Sequence, residues 1–207
     1  MARQKTYVKQ DVIINACEVF RKCGYASTSI SDLVDGTGLN RKILYDEFYD
    51  KAGVFDSALR YYIDITVEAW KTHLTRLPLG FGNIEALFQH TAMTMDQRGS
   101  LIVLVISENF HSPESAVERC KMTLELLSDL ISRNLLGSCT PARAKELAET
   151  LTFQYAALST RARISAEPNQ LANFAEQLLA GVRLSYLHAQ ELTLSERQQQ
   201  GLKNNKN

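Results

Sequence analysis

Apolar residues recur at intervals of three and four along most of the chain, in long stretches without proline or glycine, and this pattern predicts helices. Val12, Ala16, Val19 and Cys23, flanked by Ile13, Cys17 and Phe20, give a first helix from about Lys9 to Cys23 one broad apolar face. Gly24 is a natural stop, and Tyr25 is placed to pack back. Thr28 or Ser29 caps a short second helix, with Asp32 completing a capping box and Ile30, Leu33 and Val34 inward. "DGTG" (Asp35 to Gly38) breaks the chain. A third helix opens at Asn40, where Leu39 and Leu44 have the spacing of a hydrophobic staple. Leu44 and Phe48 then face inward, which leaves Arg41, Lys42 and Ile43 on the exposed first turn.

Asp50 caps a long fourth helix, Lys51 to Leu77, whose stripe is Val54, Ala58, Tyr61, Ile65 and Ala69. "PLGFG" (Pro78 to Gly82) reads as a loop, and Asn83 as the cap of a fifth helix carrying Ile84, Leu87, Phe88, Thr91 and Met95 inward. "LIVLVI" (Leu101 to Ile106) suits a buried strand or a buried helix by periodicity alone. No second strand candidate exists to pair with it, so it reads as a helix. Ser112-Pro113 and Thr140-Pro141 are two further starts with proline at the first helical position. The first leads into Val117, Cys120, Leu124, Leu127 and Ile131, the second into Ala144, Leu147, Leu151, Tyr155, Leu158 and Ala162. The last helix carries Leu171, Phe174, Leu178, Val182 and Tyr186. The end, residues 195–207, is polar and aperiodic, and it reads as frayed.

Composition changes this picture little. Apolar residues make up 45% and charged residues 22% of 207, the values of an ordinary globular chain. Neither a signal peptide nor a run long enough to span a membrane is present, so the expected location is the cytoplasm and no membrane partner is expected. Cys17, Cys23, Cys120 and Cys139 form no CxxC pair, and no histidine stands at metal-ligand spacing from them or from another histidine. Neither a metal nor a cofactor is therefore expected. The chain lacks a nucleophile elbow, a P-loop, a dinucleotide fingerprint and a zinc-protease motif, so an enzyme is not expected either.

Two short helices joined by a glycine turn form the helix-turn-helix pattern, in which the second helix lies in the major groove with its first residues toward base edges. Asn40, Arg41, Lys42 and Ile43 suit that place. Around them, "ACEVFRKCGYASTSISDLVDGTGLNRKILYDEFYDKAGVF", Ala16 to Phe55, resembles the TetR/AcrR family of bacterial transcriptional regulators, without gaps. The resemblance rests on Gly24-Tyr25, Thr28-Ser29, Ile30, Gly38-Leu39, Leu44-Tyr45, Phe48 and Lys51. It implies that Tyr45 and Lys51 hold DNA phosphates, that Ser29 anchors the DNA backbone, and that Asn40 to Ile43 face bases. Lys42-Ile43 and Asp46-Glu47 depart from the family pattern. Two carboxylates beside a phosphate-facing tyrosine repel DNA unless neutralised, and Lys42–Asp46 has the spacing for an ion pair.

The expected fold is all-α, with about nine helices. A three-helix helix-turn-helix head fills residues 1–50, a larger helical ligand-binding and dimerisation domain fills 51–194, and a polar tail fills 195–207. Residues 1–60 carry nine Lys or Arg against eight Asp or Glu, so one head has little phosphate attraction and two copies on a two-fold operator are needed. By the resemblance the last two helices pair with those of a second copy, with Leu151, Tyr155, Leu158, Leu171, Phe174, Leu178 and Val182 at the contact. Phe153, Ala156, Ala157, Leu179, Leu184 and Leu187 are apolar surplus on the same helices. Trp70, His73, His90, Met93, Asn109, His111 and Tyr155 are candidate lining for a small-molecule effector pocket. The function expected is that of a homodimeric operator-binding repressor released by an effector. Its rivals are a helical interaction protein, governed by a protein partner or no longer binding DNA, and a cysteine redox regulator.

Overall fold

The computed structural model describes residues 7–165 and 167–204, the side chains of 192–204 excepted. The basic residues Arg3 and Lys5, and the last three positions of the polar end, lie outside that range. Among the described residues there are nine α-helices and no strand: α1 Lys9–Ser27, α2 Ile30–Thr37, α3 Arg41–Phe48, α4 Lys51–Leu74, α5 Phe81–Thr94, α6 Leu101–Glu108, α7 Glu114–Leu135, α8 Pro141–Ile164 and α9 Pro168–Asn204. A single 3-10 turn, Asn109–His111, follows α6. "LIVLVI" is helical, with Leu101, Ile102 and Val105 buried.

The chain divides into two compact units. One comprises Met1–Glu68 and Arg98–Thr123, the other Ala69–Gln97 and Leu124–Asn207. In the first, α1 packs on α2 and on α6. Its core is aromatic: the Phe20 ring meets Phe55 edge-on at 4.8 Å, and Tyr25 lies 4.8 Å from the same Phe55 ring. Gly24, at φ 78° and ψ 172°, breaks the helical run within α1. Only glycine adopts that conformation cheaply.

In the second unit α9 packs on α5 and α8. A buried side chain organises one end of it. Asn134 donates to the carbonyls of Leu74 (2.8 Å) and Leu130 (2.9 Å) and accepts from the Gly80 amide (3.1 Å) and the Asn83 side chain (2.9 Å). The two donated bonds are buried and the two accepted ones partly so, and together they hold the end of α4 to the start of α5.

Several helix ends differ from the sequence reading for this reason. The fourth helix stops at Leu74, not Leu77, because Asn134 takes its final carbonyl. Asn83 is not a cap, since α5 starts at Phe81, a buried residue, and the Asn83 amide turns back to the Arg76 and Pro78 carbonyls. The backbone of α9 continues to Asn204, where fraying was expected; after Pro168 no proline interrupts it, and Gly181 and Gly201 are taken up within the helix. Its buried stripe is also rotated from the one expected. Ala175 and Leu179 are buried, while Phe174 and Leu178 are half-exposed.

Candidate nucleic-acid interface

Polar side chains fix the start of each short helix of the head. The Ser29 hydroxyl accepts from the Asp32 amide at 3.1 Å while the Ser29 amide donates to the Asp32 carboxylate at 2.7 Å, a complete capping box. These bonds hold the Asp32 carboxyl below its usual range; the Ser29 hydroxyl is the largest cause and its amide the next. The α2 helix closes at Gly38, φ 71° and ψ 6°, whose amide donates to the Val34 carbonyl at 3.0 Å. Asn40 caps α3 by accepting from the Ile43 amide at 3.0 Å, and Leu39 and Leu44 on either side are buried. Asp50 caps α4 in the same way through the Gly53 amide, 2.8 Å away.

These fixings decide what α3 presents. Asn40, Arg41 and Lys42 are exposed and Ile43 is half-buried. Among the described residues Arg41 and Lys42 form no ion pair, so two cations and the free amides of a helix start face outward together. Tyr45 is exposed one turn later, and Ser29 is exposed at the start of α2.

Two expectations about charge are corrected here. Lys42 and Asp46 form no ion pair. Glu47 instead turns toward α1, where Lys9 lies 3.5 Å from its carboxylate and 5.0 Å over the Phe48 ring. Of the two acids Asp46 alone is exposed. Lys51, expected on a phosphate, also turns inward. Its ammonium donates to the carbonyls of Tyr25 (2.9 Å) and Thr28 (3.0 Å) and lies 4.3 Å over the Tyr25 ring. Two carbonyls left open where α1 ends are a better site for a partly buried ammonium than open solvent.

The sequence reading missed the residue opposite. Glu108, at the end of α6, accepts the Tyr25 amide at 2.9 Å and fills the notch beside Gly24 that a side chain there would occupy. Tyr25 therefore has its N–H held by α6 and its C=O held by the first residue of α4. At the other end of α6, Arg21 donates to the Gly99 carbonyl at 3.0 Å, and Arg98 pairs with Glu18. Gly24 was the available signal, since a glycine required at positive φ leaves room for a neighbour.

The seven candidate pocket residues do not assemble. Trp70 and Tyr155 are buried against each other, edge to face at 5.6 Å, as core. His73 and His90 meet across α4 and α5 at 4.9 Å, which no helical spacing along the sequence could reveal. Burial, then His90 and Arg76, push the His73 imidazole below its usual range. Met93 is 70% exposed, and Asn109 and His111 are exposed residues of the other unit. The second unit does have a concavity, a groove of about 430 Å³ lined by residues of α7 and α8, among them Leu124, Asp129, Lys145 and Phe153. Among the described residues, no three His, Cys, Asp or Glu side chains gather as a metal site.

The contact expected between copies is also corrected. Leu151, Tyr155, Leu158, Leu171 and Val182 are buried within their own chain, and so is Leu179. Among the described residues, the large apolar side chains left outward on α8 and α9 are Phe153 (77% exposed), Ile164, Leu184 (71%) and Leu187. Burial raises the Cys17 and Cys120 thiols to about 12 and raises Cys139 as well, which suppresses the thiolate that oxidation requires.

Comparison with known proteins bears on the head most closely. Residues 13–58 match the family model "Bacterial regulatory proteins, tetR family". The chain is 39% identical over 62 residues to the HTH-type transcriptional repressor ComR of Escherichia coli (strain K12), a match covering 30% of each protein. A 22% identity over 162 residues relates it to the HTH-type transcriptional repressor BdcR of the same organism, over 78% of this chain and 82% of that one. The matches to ComR and to YezE, an uncharacterized HTH-type transcriptional regulator of Bacillus subtilis (strain 168), span only 30% and 33% of those proteins' own lengths. Among solved structures, a cysteine mutant of the TetR family transcriptional regulator CifR, complexed with 26bp double-strand operator DNA, superposes with a TM-score of 0.73. Its identity is 22%, over 86% of this chain and 98% of that one. A TetR transcriptional regulator from Legionella pneumophila gives 0.71 at 16% identity, over 90% and 98%.

Proposed function

We propose that the chain, whose residues 13–58 match the tetR family of bacterial regulatory proteins, is a homodimeric, operator-binding transcriptional repressor released by a small-molecule effector. One observation carries the reading: α3 is capped by Asn40 and stapled by Leu39 and Leu44 so that Arg41 and Lys42 stand outward, without an ion pair among the described residues. Arg41 and Lys42 supply phosphate attraction and the reach to guanine edges, Asn40 suits adenine, and Ile43 suits a thymine methyl. Tyr45 donates to a phosphate, and Ser29 lies at the DNA backbone. Lys51 acts indirectly, by bracing the corner of α1 against the start of α4. The head extends to residue 50, and the effector and dimer domain follows.

Dimerisation uses the apolar residues that α8 and α9 leave exposed, Phe153, Ile164, Leu184 and Leu187, together with the half-exposed Phe174 and Leu178. Exposed apolar surface on both helices supports a self-complementary two-fold contact. An effector releases the operator if it binds more tightly to the conformation that fits DNA less well, and only its differential affinity counts. The protein works in the bacterial cytoplasm, at the nucleoid while bound. No helix among the described residues is long and apolar enough to cross a membrane. Fluorescence polarisation with labelled duplex from the chain's own promoter region tests the reading. Salt-sensitive, sequence-preferring binding with two chains per duplex is expected; equal binding to scrambled duplex removes it.

A second reading, in which a protein partner governs the head or DNA is no longer bound, draws support from Asp46, exposed on α3 without a counterion among the described residues. Replacing Asp46 by Asn tightens DNA binding if DNA is the partner. Unchanged affinity favours the second reading.

A further inference from the structure

Between α3 and α4 the chain turns through Tyr49, and its backbone is unusual. Tyr49 adopts φ 71° and ψ −55°, a non-glycine deep in the positive-φ region that favours glycine. The Asp50 amide donates to the Phe48 carbonyl at 2.9 Å, which closes a three-residue γ-turn around Tyr49 of the rare, strained kind. The corner is fixed from both sides. The Tyr49 amide donates to the Tyr45 carbonyl at 2.8 Å, Asp50 caps α4, and Gly53 lacks the Cβ that would strike the Phe48 carbonyl.

Glycine would suit this position, because a Cβ at such a φ costs free energy. The tyrosine gives the fold nothing in return. Its side chain is 87% exposed and makes no hydrogen bond or ring contact among the described residues. A strained backbone holding out a large side chain that packs on nothing points to a partner outside the chain. Tyr45, the phosphate candidate, shares a backbone hydrogen bond with it, and the start of α4 lies next to it.

We infer that Tyr49 is a DNA-backbone contact, its phenolic hydroxyl donating to a phosphate oxygen beside the one that Tyr45 holds. This rests on the operator-binding reading above and adds a residue to it. The contact is uncharged, so it adds affinity without releasing counterions. It therefore differs in kind from the contacts of Arg41 and Lys42.

The test compares Tyr49→Gly, Tyr49→Phe and Arg41→Ala with the full wild-type chain, by melting temperature and by polarisation with own-promoter duplex across a salt series. Tyr49→Gly is expected to melt about 2–4 °C higher as strain is relieved, yet to bind about tenfold more weakly per head. Tyr49→Phe, which keeps the ring and loses the hydroxyl, is expected to bind as weakly as the glycine variant. Neither should change the slope of log Kd against log salt, whereas Arg41→Ala flattens it. If both Tyr49 variants bind like wild type while Arg41→Ala binds weakly, Tyr49 is not a DNA contact and the operator reading stands. If wild type shows no duplex binding, that reading fails and takes this inference with it. A Tyr49→Gly variant that captures less of a protein partner, with DNA affinity unchanged, also overturns it.

Discussion

The two compact units hold their shape by different means. In the first, a polar side chain fixes nearly every corner of the head: Ser29, Asn40 and Asp50 at helix starts, Lys51 and Glu108 on either side of Tyr25. In the second, long helices pack stripe on stripe, and Asn134 organises one end alone. Polar caps have one donor, one acceptor and a short range, so each permits one orientation. Apolar stripes tolerate a change of phase. A surface that presents chosen side chains in one orientation is better built by the first method, and a body that has only to bury apolar area by the second.

Substitutions can break this contrast or sharpen it. The largest effect is expected at Phe20, fully buried between Phe55 and Tyr25. Phe20→Ala should cost about 3–5 kcal/mol in urea unfolding and abolish operator binding. Asn134→Ala should come next, at about 2–3 kcal/mol, since it strands the Leu74 carbonyl and the Gly80 amide. Because it acts in the second unit, the operator affinity of the chain that remains folded should stay within twofold, by polarisation. Operator affinity lost in step with stability would mean that the two units are not separately built.

Lys51→Met is expected to cost about 1.5 kcal/mol by loosening the α1 corner. It should leave the salt slope of operator binding unchanged, because the ammonium faces Tyr25 and Thr28 and not DNA. A slope lower by about 0.9 per head would return Lys51 to the phosphates. The smallest effect belongs to the capping box. Ser29→Ala should lower the melting temperature by roughly 2–4 °C at pH 7. The folded Asp32 carboxyl titrates below its unfolded value of about 3.9, so the stabilisation is present above that pH and is lost as pH falls through the folded value. Melting curves of wild type and variant should therefore converge only in strong acid.

The same contrast explains what was legible in the sequence. Caps announce themselves: Asn40 between Leu39 and Leu44, Ser29 three before Asp32, Asp50 before α4. The family motif follows these residues, and the head's helix boundaries followed with it. Asn83 looked equally like a cap, but the burial of Phe81 and the pull of Asn134, far along the chain, moved the helix start. On α9, spacing allowed a stripe through Phe174 and Leu178 as readily as one through Ala175 and Leu179, and packing on α5 and α8 together decided it. Trp70 and Tyr155 have the composition of a pocket wall and the burial of a core. Residue type cannot separate the two. Lys51 and Glu47 were misread because a long charged side chain can turn either way, and each found a partner on α1.

The most direct measurement is the salt dependence of operator binding for Arg41→Ala/Lys42→Ala against wild type. If the first turn of α3 lies in the groove, the slope of log Kd against log salt should fall by about 0.9 for each phosphate-facing cation removed per head, and preference for the promoter duplex over scrambled DNA should shrink. A double variant with wild-type slope, affinity and preference would show that DNA, if bound at all, lies elsewhere on the molecule.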